Sequence, residues 1–262
     1  MSDIHPVITD SHSQDTWTVY SEVYSSVSAY ESKRLLDTTI GFHIENDIPP
    51  GSIVADFGCG PALLSQTLAR RGYKTIGIDR SPQMTSLTRT HFSQSFSFVN
   101  TDITQPEKTA RAFFDRTKGE LADAAFAINS WYATTLPEQG NLALSHEEAM
   151  EKRAKALITM ALVMKEGAPI YIAEPLDTHR SLNAKAVLFF LYSEISAARA
   201  RSSSISKALR HILSKESRMV MKRNKQFRPL VHLFGSTDDT TAFINGSGLF
   251  KVEEVINGPI NE

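Results

Sequence analysis

The chain has 262 residues, 41% of them hydrophobic and 22% charged, a net charge of −1 and a single cysteine, Cys59. That size admits one large domain, or one domain with a sizeable insertion, and the composition excludes wholesale disorder and an internal disulfide. No run approaches the ~18 apolar residues of a membrane span, and the opening MSDIHPVITDSHSQD lacks the basic and apolar regions of a signal peptide, so the expectation is a cytoplasmic protein with no membrane contact.

Residues 1–48 are rich in aromatics, including Trp17, Tyr20, Tyr24 and Tyr30. Tyr20 and Tyr24 stand one helical turn apart and share a face, which predicts a helical cap. IVADF (53–57) is a buried-strand run followed by glycines, and PALLSQTLARRG reads as a helix ended by Gly72. KTIGID (74–79) is a second strand, and Ser81-Pro82 suits the start of a helix over SPQMTSLTRTHF. SFSFVN (95–100) and DAAFAIN (123–129) are a third and a fourth strand. Ser145 and Glu148 make a capping box for a helix over 145–166 that Gly167 closes, and APIYIAEP (168–175) is a fifth strand. A long excursion follows, then a helix from Ser236 to Gly246 and a last strand, LFKVEEVI (249–256). Strands alternating with helices predict an α/β fold with a doubly wound, Rossmann-like, mostly parallel sheet. That domain takes 49–177 and 236–262, with an N-terminal helical cap at 1–48 and a helical insertion at 178–235.

Charge is uneven along the chain. Residues 199–228 hold ten Lys/Arg and one acid, Glu216, so this stretch carries +9 and the remainder −10. A solvated helix face is the ordinary meaning of such a run, and a dock for something acidic is the sharper one.

The stretch VADFGCGPALLS concentrates the chemistry. A G-x-G turn after a strand serves dinucleotides and S-adenosylmethionine (SAM) alike. A dinucleotide loop needs a third glycine for close helix packing, and Leu63 stands there instead. Asp56 would repel a pyrophosphate but could receive the α-ammonium of SAM. Asp79 ends the second strand about twenty residues after the loop, where a carboxylate can take ribose hydroxyls. Asp102 follows the third strand, where it can accept from an adenine amino group while Ile103 packs on the ring. These acids at successive strand ends would line one crevice. Cys59 reads as a packing residue rather than a nucleophile, and the histidines show no metal-ligand spacing, so no metal is expected.

With VADFGCGPALLS, GIDRS, NTDI and FAINSWY in this order, the chain resembles the class I SAM-dependent methyltransferases over about residues 50–176, and more loosely over 236–256. The resemblance implies that Gly58 and Gly60 let the backbone approach the methionine portion. It implies that Asp79, with Arg80 beside it, binds ribose, that Asp102 and Ile103 bind adenine, and that Asn129 faces the reacting centre. Trp131 and Tyr132, with Ser130, fall where that family places its acceptor-facing loop. Tyr20 and Tyr24 are candidates for a lid over the sulfonium, and Glu174 and His179 for acceptor-side bases. The family's terminal antiparallel strand is either absent here or supplied by RPLVHLF (228–234).

The leading expectation is in-line methyl transfer from SAM to a small-molecule acceptor whose nucleophile is ready, since no dedicated base stands out. A second is that SAM is the sole substrate, cyclised or cleaved with release of methylthioadenosine, as in azetidine-2-carboxylate synthases. Trp17, Tyr20, Tyr24, Trp131, Tyr132 and Tyr171 would furnish the dry cage that such chemistry needs. A third is RNA or carrier binding by the basic 199–228 segment. It lacks interleaved aromatics, so nucleic acid ranks last.

Overall fold

The computed structural model describes residues 44, 46–82, 96–128, 130–135, 144–173 and 237–253. Among these residues five parallel strands form one sheet: β1 (Ile53–Phe57), β2 (Lys74–Asp79), β3 (Phe96–Asn100), β4 (Ala124–Ile128) and β5 (Ile170–Ala173), in the order β3-β2-β1-β4-β5. The order reverses between β1 and β4, which is where doubly wound sheets open a crevice beyond their carboxyl ends. Register is continuous from Ile53↔Lys74 to Phe57↔Ile78, and from Val54↔Ala124 to Asp56↔Phe126.

Period-two alternation divides the core. Ile53, Ala55 and Phe57 of β1, Ile76 and Ile78 of β2, and Ala125 and Ala127 of β4 pack on one face. Two helices cover them. Helix α2 (Pro106–Thr117) supplies Ala110 and Phe113, and α3 (His146–Val163) supplies Ala156, Leu157, Met160 and Val163. On the other face Val54, Ala124 and Phe126 meet Leu64 and Leu68 of α1 (Leu63–Arg70), together with Ile44 and Ile48 from the end of the N-terminal segment. Tyr73 fastens that segment, its hydroxyl donating to the Ile48 carbonyl at 2.9 Å. Burying one large apolar side chain contributes about 1.5–3 kcal/mol, so two covered faces are what make this five-stranded sheet stable. Helix α4 (Thr237–Gly246) adds Ile244 to the first face.

The elements agree closely with the sequence. β1 and β2 have the expected limits, β3, β4 and β5 begin one or two residues later than expected, and α3 carries the Ser145/Glu148 capping box. Gly72 follows the α1 cap at φ 95°, the left-handed turn that suits glycine.

Two readings need correction. Helix α2 was not among the expected elements, although Pro106 at its start and Phe113 on its buried face are helical signals. The strand expected over 249–256 does not form across its first five residues. There the Val252 N–H donates to the Asn245 side chain at 2.8 Å, while Phe250 and Val252 pack against the core as an irregular segment. Most of the 1–48 cap, most of the helix after Ser81-Pro82, the 178–235 insertion with its basic stretch and the 228–234 strand candidate, and the 254–256 end of the last expected strand lie outside the described residues.

Candidate functional site

The loop after β1 turns back on itself through three left-handed residues, Gly58 at φ 70°, Gly60 at φ 50° and Ala62 at φ 54°. Glycine takes such angles without strain, whereas alanine does not. The turn is bolted to β2: the Ile78 carbonyl accepts from Gly58 N at 2.8 Å and from Cys59 N at 3.1 Å. Asp79, at the carboxyl end of β2, continues the series. Its Oδ2 accepts from Gly60 N and its Oδ1 from Ser81 N, both at 2.8 Å. One half-buried carboxylate therefore holds the glycine loop and the turn leading out of β2.

On the opposite side of the loop stands Ser130, just beyond β4. Its hydroxyl donates to the Phe57 carbonyl at 2.7 Å. A β-carbon added at Gly58 would lie 2.3 Å from Ser130 Cβ, so only glycine lets β1 and the β4 exit approach this closely. The ends of β4, β1 and β2 are thus tied across one loop.

Asp56 sits differently from a rim residue. It shares its side of β1 with Val54, beneath α1, and is only 4% exposed. Ser65 of α1 donates to its Oδ2 at 2.6 Å, and Ser65's own carbonyl accepts from Thr75 at 3.0 Å. Burial pushes Asp56 up to about 7; the Ser65 hydrogen bond opposes the rise and the charge of Asp79 adds to it. Cys59 is pushed up as well, by burial and then by the charges of Asp56 and Asp79. It packs against Gly77, where a β-carbon would meet its sulfur at 2.9 Å.

At the β3 end, Asp102 Oδ1 accepts from the Thr104 N–H and hydroxyl, both at 2.8 Å, and Oδ2 faces Arg80 Nη1 at 3.5 Å. This partly exposed ion pair links the β2 and β3 exits and by itself contributes ~0–1 kcal/mol. Ile103 is 7% exposed and belongs to the core cluster, and its carbonyl accepts from the Thr159 hydroxyl at 2.6 Å.

The structure therefore gathers Gly58, Gly60, Asp79, Arg80 and Asp102 along the strand ends, with Asp56 one layer below. Trp131, expected to face the acceptor, lies in the core instead. It is wholly buried, its ring centroid 5.8 Å from that of Phe243, and its indole N–H donates to the Arg153 carbonyl at 3.3 Å. Tyr132 opens a short 3-10 helix, Tyr132–Thr135. Tyr20, Tyr24, Asn129, Glu174 and His179 lie outside the described residues. Ser130 is the residue whose part sequence reasoning missed. A small polar residue two positions past β4, opposite the strand that leads into Gly58, was the available signal. Among the described residues no cluster of three or more His, Cys, Asp or Glu side chains is arranged to hold a metal ion. Nor is any helix among them long and apolar enough to cross a membrane.

Residues 54–134 match the family model described as a methyltransferase domain. That match holds β1 to β4 and the glycine loop, within a sheet that is parallel among the described residues and ordered β3-β2-β1-β4-β5. Curated relatives include ubiquinone biosynthesis O-methyltransferases. That of Hahella chejuensis is 40% identical over 63 residues, or 24% of this chain and 26% of the relative. That of Xanthomonas campestris pv. campestris (strain B100) is 36% identical over 61 residues, or 23% and 26%. The matched stretch thus spans about a quarter of the relatives' own length. Among solved structures, the chain is similar to magnesium protoporphyrin IX methyltransferase from Synechocystis PCC 6803 with bound SAH, at 14% identity and a TM-score of 0.47, over 91% of this chain and 80% of that one.

The residues present fit SAM. Gly58 and Gly60 bring no side chains to the loop, a carboxylate stands beside it at the end of β2, and the buried Asp56 beneath it supplies negative potential for a cation when ionised.

Proposed function

We propose that the protein is a SAM-dependent methyltransferase acting on a small-molecule acceptor. The observation that carries this reading is the glycine loop held between Asp79 and Ser130, at the point where the strand order reverses. Bound there, SAM supplies a methyl group already activated on a sulfonium. The chain's own task is then to hold, orient and exclude water. In this reading Gly58 and Gly60 admit the methionine portion, Asp79 and Arg80 hold the ribose, and Asp102 takes the adenine amino group. Asp56 favours the cationic ligand from below. The acceptor pocket is assigned to the β4 exit, Asn129 and Tyr132 included, together with the 1–48 cap and the 178–235 insertion. Tyr20 and Tyr24 close over it, and the basic 199–228 stretch remains a dock for an acidic group.

The curated relatives are named as O-methyltransferases, but a quarter of their length carries no acceptor specificity to this chain. The sole-substrate alternative depends on an aromatic cage, and Trp131, one of its walls, is committed to the core.

Calorimetry with SAH tests the site: the expected result is micromolar binding by the wild type and at least a tenfold loss in Asp79→Ala. No binding, or equal binding by the variant, overturns it. Incubation with SAM then tests the reaction, since methylthioadenosine released without an acceptor replaces methyl transfer by cyclisation or cleavage.

A further inference from the structure

Ser130 meets the glycine loop from the side opposite Asp79. Its hydroxyl donates to Phe57 O at 2.7 Å, and its β-carbon fills the place that a side chain on residue 58 would take. The peptide it grips is the Phe57–Gly58 unit, whose N–H in turn donates to Ile78 O at 2.8 Å. One peptide plane is thereby fixed at both its carbonyl and its amide, from β4 on one side and β2 on the other. Its freedom is otherwise large, because Gly58 at φ 70° has no side chain to limit it.

We infer that Ser130 is a positioning residue for the methionine end of the cofactor, acting through the Phe57–Gly58 peptide. The inference rests on the SAM-binding reading above and gives it a further residue. Ser130 leads directly into the segment that opens the Tyr132–Thr135 turn, so a hydrogen bond joins the glycine loop to the β4 exit. In that reading the ribose and adenine ends fall to Asp79, Arg80 and Asp102, at the β2 and β3 exits rather than at the β4 exit. Loss of the Ser130 hydroxyl therefore acts on one end of the ligand and spares the other.

The test compares two probes. SAH carries the amino-acid portion, and methylthioadenosine lacks it but keeps ribose and adenine. In Ser130→Ala, SAH binding measured by calorimetry weakens about tenfold, while methylthioadenosine binding stays within about twofold of wild type. A residue with only a structural part would weaken both alike. Thr117→Ala, which removes another hydroxyl-to-carbonyl bond at the far end of α2, gives the comparison for general destabilisation and leaves both affinities unchanged. Ser130→Cys keeps the volume with a poorer donor and reproduces the split at smaller size, which covers the case in which Ser130→Ala does not fold. Equal losses for both probes, no loss for either, or failure of both Ser130 variants to fold overturns the inference and leaves the SAM site standing. Absence of SAH binding in the wild type removes the site reading itself.

Discussion

Ser130 Cβ and the absent side chain of Gly58 compete for one position: a β-carbon built at residue 58 lies 2.3 Å from Ser130 Cβ and 3.0 Å from its hydroxyl oxygen. Contact this short needs backbone movement, and φ at 58 is 70°, which strains any L side chain. Both costs act together in Gly58→Ala. The expected loss is about 2–4 kcal/mol of stability, read by urea denaturation, with SAH binding abolished. Ser130→Gly in the same chain recovers part of the stability, because it vacates the position. Wild-type stability in Gly58→Ala alone would show that the loop does not hold this approach.

A second close approach lies on the α1 side. A β-carbon at Gly77 would stand 2.9 Å from Cys59 Sγ and 3.2 Å from Phe96 Cε2. Gly77 is ordinary strand backbone, so space alone decides the outcome. Gly77→Ala is expected to cost about 1–3 kcal/mol, and Cys59→Ala in the same chain to return roughly 1 kcal/mol of it as a coupling between neighbours. Additive effects in the double-mutant cycle would contradict the packing. The same enclosure holds the thiol protonated, since burial and then the charges of Asp56 and Asp79 push its pKa well up. Alkylation by iodoacetamide at pH 8 is accordingly slow in the native protein and fast in urea.

The sequence carried the sheet because its signals there are local. IVADF and KTIGID are short apolar runs bounded by glycine or charge, and both strands have the expected limits. Gly72 and the Ser145/Glu148 box mark helix ends by chemistry that does not depend on distant residues. Where distant residues decide, sequence reading fell short. Trp131 is core because Phe243, from α4, covers it. LFKVEEVI has strand composition, but among the described residues its first part finds no ladder, and an Asn245 side chain takes the Val252 N–H instead. Asp56 is an intermediate case. Alternation from Val54 already turns its carboxylate toward α1, whereas attention to the strand end placed it on the rim. Asp79, Arg80 and Asp102 were legible as strand-end residues, but the bond from Ser130 to Phe57 needed the β4 exit to be placed in space.

Ala62 offers a substitution in the opposite direction. It holds φ 54° with no side-chain cap for α1, yet it is fully buried. A left-handed alanine costs about 1 kcal/mol or more, and losing one buried methyl costs part of that back. Ala62→Gly is therefore expected to be neutral or to stabilise by up to about 1 kcal/mol. Ala62→Val, β-branched and left-handed, is expected to destabilise by about 2 kcal/mol or more. Thermal denaturation of the pair checks this, and a stabilising valine would contradict the assigned turn.

The pH response follows from Asp56. Its carboxyl titrates at about 7 in the folded chain, chiefly through burial, against an ordinary value of 3.8. Between these values the folded protein keeps a proton that the unfolded chain has released. Stability contributed by the protonated form is therefore whole below about pH 4 and declines as pH rises toward 7, by on the order of a few kcal/mol. Asp56→Asn keeps an acceptor for Ser65 and cannot ionise, so its stability curve is flatter across this window and lies above wild type at pH 8. Ligand binding adds the opposite sign. A cationic amino-acid nucleotide above Asp56 favours the carboxylate, so SAM binding near pH 7 releases a fraction of a proton, seen as a dependence of the calorimetric heat on the buffer's ionisation enthalpy. In Asp56→Asn that dependence disappears and affinity for SAM no longer rises between pH 6 and 8. A wild type whose stability and SAM affinity are both level across this range would mean that the carboxyl beneath α1 is already ionised in the folded chain.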